Sequence, residues 1–267
     1  MILLDEILAF SLIAFWLLLF AVQWAAQAIG AWLGRRHVAR GAAPAEGVGL
    51  VVSGMLGLLA FVLALTLSFA TTRFEERREG TLMEANALGT AWLRAKAIGH
   101  PRGDELAKVF EEYTKLRADF ITAPADREVV RAINDQTSAL QNRIWEHVTV
   151  IVREKPDPIS SSLMAATNEV FDRSTAERLA FGQGMPPQMV WLLMSIAVLS
   201  IGALGYQLGL RGLSLPVLSL LLIGMWTSVM VVILDLSAPR IGSIRSSATV
   251  YYWTLDSFAP NPPPARR

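Results

Sequence analysis

The side chains best suited to chemistry are few and scattered. His37, His100 and His147 are the only histidines, and cysteine is absent. A zinc site needs ligands at close spacing, which a loop, a turn and a helix carrying one histidine each do not supply. Without cysteine there is no disulfide, no thiolate metal site and no thiol nucleophile. Glu75, Glu76 and Glu79, set among Arg73, Arg77 and Arg78, have the look of a paired-carboxylate cluster. Alternating charge on a helix is more simply a solvated face with mutual ion pairs. No phosphate-binding glycine loop or nucleophile elbow occurs in the sequence. An enzyme is therefore the least supported class, and no cofactor or bound metal is expected. A net charge of +1, mixed in sign, offers no basic patch, so nucleic acid is not an expected partner.

The elements that carry these residues are set by hydropathy. Hydrophobic residues make up 53% of the 267-residue chain and charged ones 18%, more apolar than an average soluble domain. The charges are also segregated: 34 of the 47 lie between Thr71 and Pro187, 16 basic and 18 acidic. Ile7 to Leu33 is apolar except for Ser11, Gln23 and Gln27, and exceeds the roughly 20 residues a helix needs to cross hydrocarbon. It follows Asp5 and Glu6 instead of basic residues and is too long for a signal-peptide core, so it is expected to remain as a span. Val48 to Phe69 is a second charge-free run. Gln188 to Leu210 and Leu213 to Leu234 give two more, joined only by Arg211 and Gly212.

The expectation is an all-α membrane protein with four transmembrane helices in two hairpins. The first hairpin covers residues 1–70, the second 188–235, a soluble helical region 71–187 lies between them, and 236–267 is a C-terminal tail. Gly54 and Gly57 in the second span, and Gly202, Gly205 and Gly209 in the third, are small residues of the kind that let helix backbones approach closely. Basic residues are retained on the cytoplasmic side. Arg73, Arg77, Arg78, Arg173, Arg178, Arg240 and Arg245 on one side outnumber Arg35, Arg36, Arg40 and Arg211 on the other, which places both termini and the central region in the cytoplasm.

Helical periodicity runs through the central region, with breaks at His100 to Gly103, at Pro124, at Pro156 with Pro158, and at Gly182 to Pro187. Leu106, Val109, Phe110, Tyr113, Leu116 and Phe120 fall on one helix face. Val130, Ile133, Leu140, Ile144, Val148 and Ile151 fall on another, and Val170, Phe171 and Phe181 anchor a further segment. The first of these helices continues from the second span through Arg73 to Ile98.

Phe61 to Arg77, reading FVLALTLSFATTRFEER, resembles the end of the second membrane helix of bestrophin channels. There an apolar run closing in Leu-Gly-Phe leads into an aromatic, an acid and an arginine. Ile233 to Gly242, ILDLSAPRIG, is similar to the acidic and Pro-Phe-Gly stretch after the last bestrophin span. Met83 to Gly89, MEANALG, resembles a bacterial family of bestrophin-like proteins, DUF4239, over most of the chain from Gly47 to about Ser257. Ser68 stands where the bestrophin motif has glycine. Of the acidic cluster that builds the bestrophin calcium clasp only Asp235 and Asp256 remain, too few oxygens for a calcium site.

The resemblance implies a homo-oligomeric ion channel, a pentamer in the bacterial inner membrane with lipids and inorganic ions as its partners. In such a channel Phe61, Leu65 and Phe69, spaced by four, face the axis as apolar rings that gate by dewetting. The same spacing also suits residues that simply pack against neighbouring helices. The competing function is a non-conducting membrane sensor or scaffold.

Overall fold

The computed structural model of the chain describes residues 12–41 and 47–259. Asp5, Glu6, the start of the first predicted span, part of the turn after Arg40 and the end of the tail lie outside them. The described residues form eight helices and no strand. They are α1 (Leu12–Ala39), α2 (Val48–Ala97), α3 (Pro101–Thr122), α4 (Arg127–Glu154), α5 (Pro158–Gly182), α6 (Pro187–Leu210), α7 (Pro216–Ser237) and α8 (Thr249–Phe258). The protein is an all-α integral membrane protein, and α1, α2, α6 and α7 carry the four stretches long and apolar enough to span a bilayer.

Proline and short polar side chains write the helix boundaries. Proline occupies the first turn of α3, α5, α6 and α7, where its missing N–H costs nothing. The Asp126 carboxylate accepts from the backbone N–H groups of Glu128 at 2.8 Å and Val129 at 3.3 Å to cap α4. Asp157 and Ser160 close a reciprocal capping box on α5. Between α6 and α7 the link runs over five residues, 211–215, instead of the predicted two. Pro216 takes the first helical position of α7 and so moves its start beyond Leu213.

The chain divides into two compact units, one made of the residues up to Arg73 with Gly184–Ile244 and the other of Phe74–Gln183 with the residues from Arg245. In the first, the membrane unit, α1 packs most extensively along α6 and then along α7. Phe15, Leu19, Gln23, Gln27, Gly30 and Gly34 form its buried stripe, at steps of three and four. Glycine makes the α1–α6 approach possible. A Cβ on Gly30 would collide with the Gly202 carbonyl and one on Gly34 with that of Tyr206; from α6, Gly205 and Gly209 meet the backbone of Gln27 and Ala31 in the same way. Small residues at a four-residue step thus let two backbones touch, a packing that lipid-exposed helices cannot gain from the hydrophobic effect.

In the second, the helical unit, one core gathers Leu88, Ala91 and Ala95 of α2, Phe110, Tyr113 and Phe120 of α3, Ile144 and Val148 of α4, and Val170 and Phe181 of α5. The predicted face of α3 is buried throughout, and Val130, Ile133, Leu140 and Phe171 pack against the core at its margin. Past Ser237, where periodicity gives no element, the ten-residue helix α8 adds the fully buried Tyr251.

Candidate ion pathway

α2 has two faces between Val48 and Ala70. Val52, Leu59, Leu63, Thr66 and Ala70 are buried within the membrane unit, at the three-, four- and seven-residue steps of a single stripe. On the opposite face Leu50, Val51, Leu58, Phe61 and Leu65 are exposed, Phe61 at 61% and Leu65 at 54%. Gly54 and Gly57 lie in line with them, and a Cβ at either would meet open space within the chain. Phe61 and Leu65 therefore share the face that the chain itself does not cover. Phe69 flanks it half-buried, with the Arg73 guanidinium 5.3 Å from its ring centroid.

The side-chain hydrogen bonds between α1 and α7 are neutral. The Gln23 amide donates to the Thr227 hydroxyl at 2.9 Å, and the Gln27 amide to the Ser219 hydroxyl at 2.5 Å. Trp16 donates its indole N–H to Ser228 at 3.0 Å. Asp235, buried at the end of α7, accepts the Ser243 backbone N–H at 2.9 Å and its hydroxyl at 2.6 Å. Its carboxylate thereby pins the loop that follows the last span. Asp256 is exposed on α8.

In the helical unit the polar contacts carry charge. Arg117 of α3 reaches Glu84 of α2 through two bonds, Nε to Oε1 at 2.5 Å and Nη2 to Oε2 at 3.0 Å, the fork-on-fork geometry that suits guanidinium and carboxylate. Tyr251 donates its hydroxyl to Glu84 Oε2 at 2.8 Å. The Phe120 ring lies 4.4 Å from the Arg117 guanidinium carbon, a cation–π contact. Burial opposes the charge on Arg117, but the Glu84 carboxylate outweighs it and holds the pKa above its ordinary value. Burial pushes the Tyr251 hydroxyl well up, with the Glu84 charge adding to it.

The other residues singled out by type stand apart from one another. His100 lies 3.0 Å from Glu154, and His147 3.9 Å from Glu105, while the His37 ring packs edge-on near Tyr206. Glu75, Glu76 and Glu79 are exposed, as a solvated face requires, whereas Arg77 among them is buried. Among the described residues no three His, Asp or Glu side chains converge on a point.

The model of the bestrophin-like domain matches residues 21–250. No curated protein matches the chain. Two crystal structures of a bacterial bestrophin homologue from Klebsiella pneumoniae, one of them a point mutant, are similar in fold at 14% sequence identity and a TM-score of 0.66. The similarity covers 91% of this chain and 98% of the mutant, and 94% of this chain and 100% of the other. With the matched span running from within α1 to the start of α8, this chain belongs to the bestrophin-like family.

Proposed function

We propose that the chain assembles as a homo-oligomeric ion channel, a pentamer by its resemblance to bestrophins, in which α2 of each copy lines the axis. Phe61, Leu65 and Phe69 are then its apolar gate. The observation that carries this reading is the uncovered face of α2: no charge interrupts Val48 to Phe69, and Phe61 and Leu65 stay exposed while the opposite stripe is buried. Stacked rings of such residues resist ions because dehydrating an ion is costly and the rings offer no replacement ligands. The membrane is the bacterial inner membrane, with both termini and the helical unit in the cytoplasm on the balance of basic residues.

Reconstitution of the purified protein in a planar bilayer, with oligomer mass measured on the same preparation, tests the proposal. Discrete currents separate a channel from a non-conducting sensor or scaffold. Combining Phe61→Ala, Leu65→Ala and Phe69→Ala should widen the constriction and raise basal current with the mass unchanged. Leu56→Ala with Leu63→Ala, of which Leu63 is buried, should instead lower stability, by roughly 2 to 5 kcal/mol for a fully buried leucine. A triple variant that assembles normally and conducts like the parent defeats the gate. One that falls apart while the control pair is tolerated makes this face a packing surface.

A further inference from the structure

Glu177 of α5 is 1% exposed, and its immediate partner is the Thr81 hydroxyl of α2, 2.5 Å from Oε1. The same hydroxyl oxygen lies 2.8 Å from the Arg77 carbonyl one turn back. A threonine hydroxyl has one hydrogen to give and lone pairs to receive, and a carbonyl only accepts. If Thr81 gives its hydrogen to Arg77, the remaining short contact joins a lone pair to a carboxyl oxygen. That contact is bonding only when the carboxyl carries the proton, and at 2.5 Å the two oxygens are within O–H···O bonding distance. The second carboxyl oxygen, Oε2, is buried without a hydrogen-bond partner. It lies so close to the backbone of Gly80 that a Cβ there would collide with it. An ionised carboxylate would want donors on both oxygens.

We propose that Glu177 is a proton-binding site, closed by a relay from its carboxyl through the Thr81 hydroxyl to the Arg77 carbonyl, and that release of this proton loosens α5 from α2. The charged groups facing it are Arg77 and Glu84 on α2 and Arg117 on α3, with the titratable but neutral Tyr251 of α8 beyond them. Arg117 is committed to Glu84 by two bonds, so little of its charge is left for Glu177. Burial is the main influence and pushes the Glu177 carboxyl up to about 7. A hydrogen bond donated by Thr81 would pull it back, the Glu84 charge pushes it further, and the arginines lower it. A carboxyl raised above its ordinary 4.5 holds the folded state most firmly below that value. Its contribution is lost as pH rises through about 7. The site therefore tightens in mild acid and slackens above neutrality. It does not depend on conduction, so it stands or falls separately from the channel.

The test is infrared difference spectroscopy on the purified full-length protein, titrated from about pH 5 to about pH 9. Amide hydrogen exchange is followed in Arg77–Glu84 and Ser174–Phe181 and corrected for its intrinsic pH dependence. The parent should show a protonated-carboxyl band that bleaches with a midpoint near 7, while protection in both segments falls over the same range. Glu177→Gln should lack the band and keep acid-like protection throughout. Thr81→Val removes the acceptor of the carboxyl proton and should lower the midpoint, a readout that survives if Glu177→Gln folds poorly. A parent with no bleaching band, a band that persists in Glu177→Gln, or a midpoint raised by Thr81→Val would each overturn the proposal.

Discussion

In the membrane unit the side chains that bond α1 to α7 are amides, hydroxyls and an indole, all neutral. In the helical unit the buried polar side chains include a carboxylate, a guanidinium and a phenol joined into one network. The surroundings explain the contrast. Lipid offers no water to share the cost of a charge, so neutral groups and backbone contact hold those helices together. A bundle whose helices carry charge of both signs can bury a charge pair when each member is bonded on several sides, and then each member depends on the other. The two units should therefore fail differently when cut.

The largest effect is expected from Arg117→Met, which leaves Glu84 buried with only the Tyr251 hydroxyl of its present partners. Breaking such a pair costs about 3 to 5 kcal/mol. Segment-resolved hydrogen exchange should show protection lost across α3 and the Glu84 turn of α2. Adding Glu84→Gln should restore much of it, and a double variant no better than the single would break the comparison.

A smaller loss is expected when the glycine contact in the membrane unit is overfilled. Gly30→Ala and Gly205→Ala each push a methyl group into the facing backbone, and overpacking of this kind costs roughly 1 to 3 kcal/mol. Thermal unfolding in detergent should show the loss, whereas Gly54→Ala, which meets no atom of its own chain, should leave the melting of the chain in place. Smallest of all is Gln23→Leu. It removes the bond to Thr227 but also relieves Oε1, which is buried without a partner, and interhelical bonds in membranes are worth about 0.6 kcal/mol on average. A denaturant midpoint moved by several times that amount would show that polar contacts carry the membrane unit after all.

The helix plan is legible from spacing and breakers: Pro124, Pro156 with Pro158, and Gly182 to Pro187 fall where α3, α4 and α5 end. The polar network is not, because by type alone a charged side chain belongs in water. Position says otherwise. Arg117 follows Phe110 by seven and Tyr113 by four and precedes Phe120 by three, so it sits on the apolar stripe of α3. Glu84 likewise precedes Leu88, Ala91 and Ala95 on the buried stripe of α2. A charge on a core stripe of each of two helices is the signal of a buried pair, provided both signs are present. α8 is short, and its pattern is only Tyr251 and Phe258 seven apart, below what periodicity alone can separate from a tail. The exposed face of α2 reads equally from sequence as packing or pathway, since residues four apart share a face whatever that face touches.

The order in which the chain is made gives the α1–α6 contact a further meaning. Ala39 leaves the ribosome well over a hundred residues before Pro187. At about 5 to 20 residues per second this is a delay on the order of ten seconds. Throughout it α1 must wait in the bilayer with Gln23, Gln27 and its glycine stripe uncovered. The helical unit waits in turn for Tyr251, which is synthesised after the last span. Both units are closed by late segments, so a chain truncated after α5 would leave the membrane with an unpaired first helix and the bundle without the hydroxyl that completes its carboxylate.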